Sequence, residues 1–319
     1  MAIWCALASS LQAQTNLVYN GDFEMYDTCP ISVSTPWDHQ LERCLGWTIP
    51  TYATSDYFNA CAGSGGGVGV PLNTCGYQIP HSGNAYCGIG IWQTAEWWFE
   101  YIQGSTVVPL NAGRTYHIEF YISNSYCFPY AVDQIGLYLS PNPISRPDPL
   151  PFNNIMPQLT TDQVLYIVDS LNWIKVEGLY TATGGEQFVT IGRFVDTANM
   201  YFFPVEVDTL GSAIGTYLYI DDVRITLVES ELNVPNVFSP NADGTNDVFN
   251  ITTVNVVDLT CTIYDRWGRL VATLNSPDES WDGSFSGSPC TEGTYFYHCS
   301  AIGNDNVIYN KKGIVQLMR

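Results

Sequence analysis

Apolar and polar residues alternate along several short segments of this chain, and almost no segment has the spacing of an amphipathic helix. The alternation is clearest in HIEFYIS (117–123), QFVTIGRF (187–194) and YLYIDDVRITL (217–227), which are also rich in β-branched and aromatic residues. That combination is typical of half-buried antiparallel strands. About a dozen such segments, separated by turn residues, predict an all-β protein built as β-sandwiches.

A turn-rich segment, NVPNVFSPNADGTNDVF (233–249), lies between two apolar stretches and divides the chain. Proline, Asn, Asp and Gly in such density mark turns and loops. We therefore predict one large β domain over residues 15–230 and a smaller β domain over residues 231–319. A chain of 319 residues can hold two domains that each have a core.

The segment MAIWCALASSLQAQ (1–14) is an apolar run that ends in small and polar residues. We interpret it as the hydrophobic region and cleavage site of a signal peptide. The basic residues that usually begin such a peptide are missing, as expected if the start of the sequence is truncated. No other apolar run approaches the roughly 20 residues of a membrane-spanning helix. The mature chain is therefore predicted not to span a membrane.

The chain is strongly acidic, with 31 Asp and Glu against 11 Lys and Arg and a formal net charge of -20. Such a charge offers no positive surface to a phosphate backbone, so nucleic acids and anionic membranes are poor partners. Since only 13% of the residues are charged, uncharged polar side chains must cover most of the surface. This composition is typical of secreted β proteins.

Ten cysteines, no C-x-x-C pair and only four histidines favour disulfides over a zinc site. Six cysteines of the large domain permit fifteen pairings, among which the sequence does not choose. These candidates are Cys29, Cys44, Cys61, Cys75, Cys87 and Cys127. The small domain contains Cys261, Cys290 and Cys299, so one of them is free or bridged elsewhere, and Cys290 with Cys299 is only one candidate pair.

Five motifs follow one another in the small domain: the turn-rich segment 233–249, IYDRWGRLV (263–271), SWDGSFSG (280–287), EGTYFY (292–297) and KKGIVQLMR (311–319). In order and spacing they resemble the gliding motility-associated C-terminal domain of Bacteroidetes, the B-type sorting signal of the type IX secretion system. The resemblance implies an Ig-like β-sandwich that addresses the protein to the cell surface or to secretion. It also implies two partners, the type IX secretion machinery and a PorP/SprF-like outer-membrane protein.

Two tryptophans of these motifs are candidates for the core of the small domain. Trp267 and Trp281 are large and apolar, and each is followed within two residues by a glycine that can turn the chain, Gly268 or Gly283. We predict that both indole rings are buried.

Three segments of the large domain, NGDFE (20–24), PLNAGRTYHIEFYIS (109–123) and YIDDVRITL (219–227), resemble the galactose-binding-like jelly rolls that occur as carbohydrate-binding modules. TSDYFNACA (54–62) is similar to part of an uncharacterised N-terminal domain of Bacteroidetes surface proteins. The resemblance implies a jelly-roll β-sandwich. It implies no single function, because this fold serves lectins, structural modules and accessory domains of enzymes.

A structural calcium ion is the cofactor that the jelly-roll resemblance implies. In such domains the acidic residue of the N-G-x-F-E motif and an aspartate of the final strand often share Ca²⁺, and Glu24 and Asp221 occupy those positions. Carboxylate and carbonyl oxygens are the ligands that calcium prefers. The alternative is that both side chains point to solvent or accept backbone hydrogen bonds.

A second candidate calcium site surrounds Gly244. Its oxygen-bearing side chains stand at alternate positions and are Asn241, Asp243, Thr245 and Asp247. The spacing does not fit an EF-hand loop. We favour an Asp-Gly turn closed by side-chain hydrogen bonds, which explains the same residues without an ion.

The candidate ligand site is an aromatic group within GIWQTAEWWFEYI (90–102), formed by Trp92, Trp97, Trp98 and Tyr101. Exposed rings there could stack on a sugar or anchor a protein partner. Burial in the sandwich is the alternative, and Trp37, Trp47 and Trp173 are equally suited to the core.

No catalytic constellation stands out. The histidines are scattered, GSFSG places Phe285 where a nucleophile would stand, and Glu96 with Glu100 is interpreted as two loop carboxylates. We therefore predict a non-enzymatic, secreted or surface-displayed protein that serves adhesion, binding or self-assembly. The alternative is a carbohydrate-binding module that recognises polysaccharide through the tryptophans.

Overall fold

The computed structural model describes residues 15–63, 67–93, 97–161, 171–195, 202–204, 214–303 and 307–319. The predicted signal peptide, residues 1–14, lies outside this part of the chain, as does Glu96. The described residues form strands, turns and two short 3₁₀ helices, Gln40–Arg43 and Ala60–Ala62. None of the described helices has the length and apolar character needed to cross a bilayer. The all-β prediction is confirmed.

The chain divides into two compact units. The first unit extends to Thr226, and the second comprises Leu227–Arg319 together with the short stretch Ala112–Tyr116. The division thus falls a few residues before the boundary at residue 230 that the turn-rich segment suggested.

Two larger sheets and two pairs of short strands build the described part of the first unit. Its strands are β1 (Asp56–Asn59), β2 (Leu72–Asn73), β3 (Gly76–Tyr77), β4 (Ala85–Gln93), β5 (Trp97–Phe99), β6 (Ile102–Ser105), β7 (Thr115–Asn124), β8 (Tyr130–Val132), β9 (Gly136–Ser140), β10 (Leu159–Thr160), β11 (Ile174–Thr181), β12 (Phe188–Gly192), β13 (Phe202–Pro204) and β14 (Ile214–Leu227). One sheet has the order β1-β4-β14-β7-β11, with β5 also paired to β4, and the other has the order β10-β9-β12-β6. Apolar side chains of both sheets are buried, as in a sandwich.

Strands β7 and β14 show where the periodicity argument succeeds and where it fails. The central residues 116–122 of β7 alternate between buried and half-buried positions, as predicted. In β14, by contrast, every residue from 217 to 223 is buried. The reason is a second apolar layer on that strand, an aromatic cluster that includes Phe58, Val68, Cys75, Tyr86, Tyr217 and Tyr219.

The second unit is a smaller sandwich. Its strands are β15 (Glu231–Asn233), β16 (Val237–Phe238), β17 (Phe249–Asn250), β18 (Thr252–Val254), β19 (Val256–Tyr264), β20 (Leu270–Leu274), β21 (Ser280–Trp281), β22 (Ser284–Phe285), β23 (Ser288–Pro289), β24 (Gly293–Gly303) and β25 (Ile308–Leu317). The main sheet has the order β16-β25-β24-β19-β20, and β16 runs parallel to β25. Alternate residues of β19 and β24 enter the core, among them Leu259, Ile263 and Tyr295.

Disulfides join Cys29 to Cys61 and Cys261 to Cys299. Cys261 and Cys299 lie directly opposite each other in the ladder between β19 and β24. The candidate pair of Cys290 with Cys299 is therefore wrong, because Cys290 precedes β24 and its thiol stays free.

Asp56 and Glu100 are two of the buried carboxylic acids of the first unit. Asp56 accepts hydrogen bonds from the Tyr217 hydroxyl and the Ser34 amide, both at 2.6 Å. Glu100 accepts one from the Gly90 amide at 2.7 Å. Burial raises the pKa of both side chains, and the charge of Asp56 raises the pKa of Glu100 further. Glu100 is thus not the loop carboxylate that the sequence suggested.

We predict that the first unit loses stability as the pH rises from about 4 to about 8. The folded-state pKa values of Asp56 and Glu100 lie above those of the unfolded chain, so the folded state retains protons that the unfolded state releases. Their stabilising contribution is complete below about pH 4 and is lost as the pH passes through the raised values. Urea denaturation at a series of pH values measures this decline.

In the variant Asp56→Asn the free energy of unfolding should fall less steeply with pH, because a neutral amide has no proton to lose. Asp22→Asn removes an exposed charge and serves as the matched control, with an expected slope like that of the unaltered chain. A slope that is the same in Asp56→Asn and in the unaltered chain would contradict the assignment.

Candidate functional site

The predicted calcium ligands of the first unit hold a loop. Asp221 on β14 is fully buried, and its carboxylate accepts hydrogen bonds from the backbone amides of His81 at 2.9 Å and Ser82 at 3.2 Å. The carboxylate of Glu24 accepts the Asn84 amide at 2.6 Å. The two acids therefore bind opposite ends of one segment, residues 81–84, which we call the 81–84 loop.

Asp222 completes this arrangement, and the sequence analysis missed it although it adjoins Asp221. Its carboxylate lies 2.5 Å from Nδ1 of His81 and accepts a hydrogen bond from the Ser82 hydroxyl at 3.0 Å. The His81 ring stacks on Tyr121, with ring centroids 3.6 Å apart. Because the Ser82 hydroxyl donates to Asp222 and not to His81, these residues do not form a nucleophile and base pair.

The charges around Asp221 affect whether it could be a calcium ligand. Burial and the charge of Asp222 raise the pKa of Asp221 to about 8. In the described part of the chain, no lysine or arginine forms an ion pair with Asp221 or Glu24. A carboxylate offers about four acceptor positions, of which Asp221 uses three, the third for the Asp222 amide. One acceptor position of Asp221 is thus left for a further ligand, and the raised pKa favours the neutral acid, which needs no counter-charge.

A closer group of ligand-type side chains lies on β7 and β11. The ligand atoms of His117, Glu119 and Glu177 all lie within 4.8 Å of one another. However, the ammonium group of Lys175 lies 2.6 Å from Glu119 and 2.7 Å from Glu177, and these hydrogen bonds raise the pKa of Lys175. Lys175 supplies the positive charge that a metal would bring, so we assign this group as an ion-pair network.

The turn around Gly244 is closed by its own side chains. The Asp247 carboxylate accepts hydrogen bonds at 2.7 to 3.1 Å from three backbone amides, those of Asn241, Ala242 and Gly244. Asp243 accepts the Thr245 amide at 2.8 Å and the Asn241 side-chain amide at 3.0 Å. These bonds are those of an Asp- and Asn-rich turn, and they account for the residues without an ion.

Tyr101 does not belong to the predicted aromatic ligand site. Its side chain is fully buried and packs edge-on against Phe152, with ring centroids 5.0 Å apart. Its hydroxyl donates to the backbone carbonyl of Arg193. Tyr101 is a core residue, so its prediction as a ligand residue is wrong.

Trp97 and Trp98 lie on β5, at an edge of the larger sheet, and both are half-buried. The indole nitrogen of Trp98 donates to Glu100 at 3.3 Å. Trp92 pairs with Trp98 in the β4–β5 ladder, but its side chain lies outside the described part of the structure. The described rings of this group are thus partly available at the surface.

Fully exposed tryptophans lie elsewhere. Trp37 is 87% exposed and Trp267 is 84% exposed, whereas Trp47 and Trp281 are buried. The prediction that Trp267 fills the core of the second unit is wrong, because it stands at the tip of the turn between β19 and β20. The core position belongs to Trp281, whose ring centroid lies 5.3 Å from that of Phe238.

The turn that carries Trp267 is held by Asp265. The Asp265 carboxylate accepts the amides of Trp267 at 2.9 Å and Arg269 at 3.0 Å, and the hydrogen bond from the Arg269 amide lowers the pKa of Asp265. The guanidinium of Arg266 lies 5.9 Å above the indole ring. We call residues 265–269 the Trp267 turn.

A groove of about 690 Å³ adjoins the Trp267 turn, and Phe285 and Tyr295 are among the residues that line it. The guanidinium of Arg269 lies 4.9 Å above the Phe285 ring. Tryptophan, tyrosine and arginine are the side chains most enriched at the centres of protein–protein interfaces. A fixed turn that presents them beside a groove is therefore suited to binding another protein.

Comparison with solved structures yields only distant similarity. The Stig cyclase Fisc from Fischerella sp. TAU, crystallised with (3Z)-3-(1-methyl-2-pyrrolidinylidene)-3H-indole, is 11% identical with a TM-score of 0.37 and covers 66% of this chain and 96% of its own. The adhesin domain of Epf from Streptococcus pyogenes is 11% identical with a TM-score of 0.25, over 77% and 84%. A structure described as "CBM4 structure and function" is 15% identical with a TM-score of 0.25, over 66% and 99%. We transfer no function from them.

The family comparison concerns the second unit. No curated protein matches this sequence. Residues 232–317 match the model of the CHU_C type IX secretion signal domain, which confirms the predicted sorting domain. The C-terminal unit is therefore a type IX secretion signal domain, and it marks this chain for export and display at the cell surface.

Proposed function

We propose that this chain is a surface-displayed, non-catalytic protein whose N-terminal sandwich serves adhesion or self-assembly and whose C-terminal unit delivers it. The observation that carries the proposal is the secretion signal domain at residues 232–317, attached to a β-sandwich. The N-terminal sandwich is then the exported cargo, and it functions outside the cell.

A non-catalytic role is supported by how the reactive side chains of the first unit are used. Asp56 and Glu100 are sealed in the interior, where no substrate reaches them. His81 pairs with Asp222, which also holds the Ser82 hydroxyl, so the imidazole is committed to the 81–84 loop. In the described residues these groups stabilise the fold and are not arranged around a substrate.

The partner that we propose for the second unit is the outer-membrane part of the type IX machinery, through a PorP/SprF-like protein. We infer that the Trp267 turn lies at the contact. Leaving an indole ring in water forgoes the stabilisation of burial, which is about 1.5–3 kcal/mol for the smaller Leu or Phe side chain, and this sandwich already fills its core with Trp281. The secretion signal itself supplies the class of partner for the exposed ring.

Export should fail in Trp267→Ala and proceed in Trp37→Ala, when both are expressed in a bacterium that has a type IX system. The two rings are exposed to almost the same degree, so the substitutions are matched in chemistry and cost to folding, and only one ring lies in the secretion signal. Surface display, measured by protease accessibility on intact cells, should drop at least about tenfold for Trp267→Ala, the effect of losing one interface hot spot.

Deletion of residues 231–319 should retain the remainder of the chain inside the cell and tests the sorting role itself. Normal display of Trp267→Ala alongside retention of the deletion variant would remove the Trp267 turn from the contact and leave the sorting role intact. Normal display of the deletion variant would contradict both.

Carbohydrate binding is the second candidate function, favoured by the half-buried Trp97 and Trp98 on an edge strand. If this function is correct, glycan-array binding by the exported protein should disappear in Trp97→Ala and Trp98→Ala, because stacked aromatic rings supply much of the contact with a sugar. Trp37→Ala is the control ring. Cell or surface adhesion that persists in both variants, without glycan binding, would favour the adhesive role.

We propose Ca²⁺ as a structural ion of the first unit, held by Glu24 and Asp221 with backbone carbonyls. Calcium at millimolar concentration should then raise the melting temperature of the protein, because an ion bound only by the folded state stabilises it. The rise should be absent in Asp221→Asn and present in Asp247→Asn, which alters the turn of the second unit. Calorimetric titration that detects no binding to the unaltered protein would exclude the ion.

A further inference from the structure

Four cysteines of the first unit have thiols that no disulfide uses: Cys44, Cys75, Cys87 and Cys127. The first three are buried and Cys127 is half-buried. The chain is exported, and disulfides persist in the compartments outside the cytoplasm. The spatial arrangement of these four residues therefore decides which of them could form disulfides.

Cys44 and Cys87 meet beneath β1. Cys87 lies opposite Tyr57 in the ladder between β1 and β4, so the two side chains point to the same face. The Tyr57 hydroxyl donates to the Phe23 carbonyl at 2.8 Å, and the Cys44 sulfur contacts the same carbonyl at 3.8 Å. Both cysteine side chains thus lie beside Tyr57, and burial together with the neighbouring Cys44 thiol raises the pKa of Cys87. Two cysteines that flank the same side chain can be bridged with little backbone movement.

Cys75 and Cys127 meet at the side chain of Ser125. The Ser125 hydroxyl donates to the Cys75 carbonyl and accepts a hydrogen bond from the Cys127 amide at 3.1 Å. The two cysteine backbones thus stand on either side of a single oxygen atom. No other pairing of the four cysteines has such contacts among the described residues.

We propose that Cys44 forms a disulfide with Cys87 and that Cys75 forms one with Cys127 in the exported protein. Together with the bond between Cys29 and Cys61, these bonds pair all six cysteines of the first unit. The first bond links Cys44, which follows the 3₁₀ helix Gln40–Arg43, to β4. The second bond links the segment between β2 and β3 to the residues that follow β7. Both fasten loop segments to the larger sheet.

Each bond forms by exchange with the disulfide of a thiol–disulfide oxidoreductase in the exporting compartment. One cysteine thiolate attacks the oxidant and forms a mixed disulfide, and the second thiolate then displaces the oxidant. The substrate loses two protons and two electrons, and the oxidant leaves as a dithiol. Because Cys44 and Cys87 are fully buried, this exchange must precede the closing of the sandwich.

The test is a map of thiols in the full chain recovered from the cell surface. The protein is unfolded without reductant, labelled with iodoacetamide, then reduced and labelled with N-ethylmaleimide, and its peptides are identified by mass spectrometry. Of the five cysteines that lack a partner in the structure, only Cys290 should carry the first label. Peptides that carry the first label on all five would overturn the proposal.

Single substitutions decide the pairing. Cys44→Ser should expose the Cys87 thiol alone to the first label, and Cys75→Ser should expose Cys127 alone. Cys290→Ser is the matched control, since it should remove one label and add none. A Cys44→Ser variant that exposes Cys75 or Cys127 instead would overturn the assigned pairs, and the map of the unaltered chain decides the matter if a variant does not fold.

Discussion

Strand β14 is the element on which the first unit depends. It lies between β4 and β7, and both of its faces are covered from residue 217 to residue 223. The start of the chain also pairs with it: the Leu17 amide donates to the Ile225 carbonyl, and the Val223 amide donates to the Gly21 carbonyl, both at 2.8 Å. A Cβ atom on Gly21 would come within 2.1 Å of the Val223 carbonyl, so glycine alone permits this approach. The two ends of the unit are thereby joined on one strand.

The local sequence pattern predicts which segments form strands, but it does not predict which faces of those strands are buried by other segments. β7 and β14 have the same alternation, yet only β7 has an outward face, because the segment 67–79 adds Val68 and Cys75 to a layer over β14. Trp267 and Trp281 are likewise equal in hydropathy, but one stands at a hairpin tip and the other on β21. Burial depends on which distant segment arrives, and this information is absent from a local window.

Cysteine pairing illustrates the same limit. The sequence indicated disulfides from composition and compartment, which requires no knowledge of the fold. The choice of partner depends on strand register, because Cys261 meets Cys299 only when β19 pairs with β24 as it does here. Cys290 is nearer to Cys299 along the chain and remains free. Sequence distance is a poor guide when a sheet brings distant residues side by side.

The acidic excess has a structural explanation. A chain with almost no helix has many loop amides that no ladder satisfies, and such groups require acceptors. Carboxylates provide them: Asp221 and Glu24 hold the 81–84 loop, Asp247 closes its own turn, and Glu186 binds the amides of Thr183 and Gly184. Although burial opposes it, the hydrogen bonds to Glu186 lower its pKa to about 2. Charge-assisted bonds of this kind are about twice as strong as neutral ones.

Metal binding and loop capping use the same carboxylate oxygens, so a sequence pattern of Asp, Asn and Glu fits both. The neighbouring atoms distinguish these two roles, because N–H groups point at a carboxylate that caps a loop, whereas carbonyl oxygens accompany a bound cation. By this criterion the turn at Asp247 is a cap, since the partners that the structure assigns to its carboxylate are amides. The partners of Asp221 are likewise backbone amides, and this residue differs from Asp247 in being fully buried. Carboxylates that cap loops therefore contribute to the formal charge of -20, and that charge is not by itself a sign of a cation-binding surface.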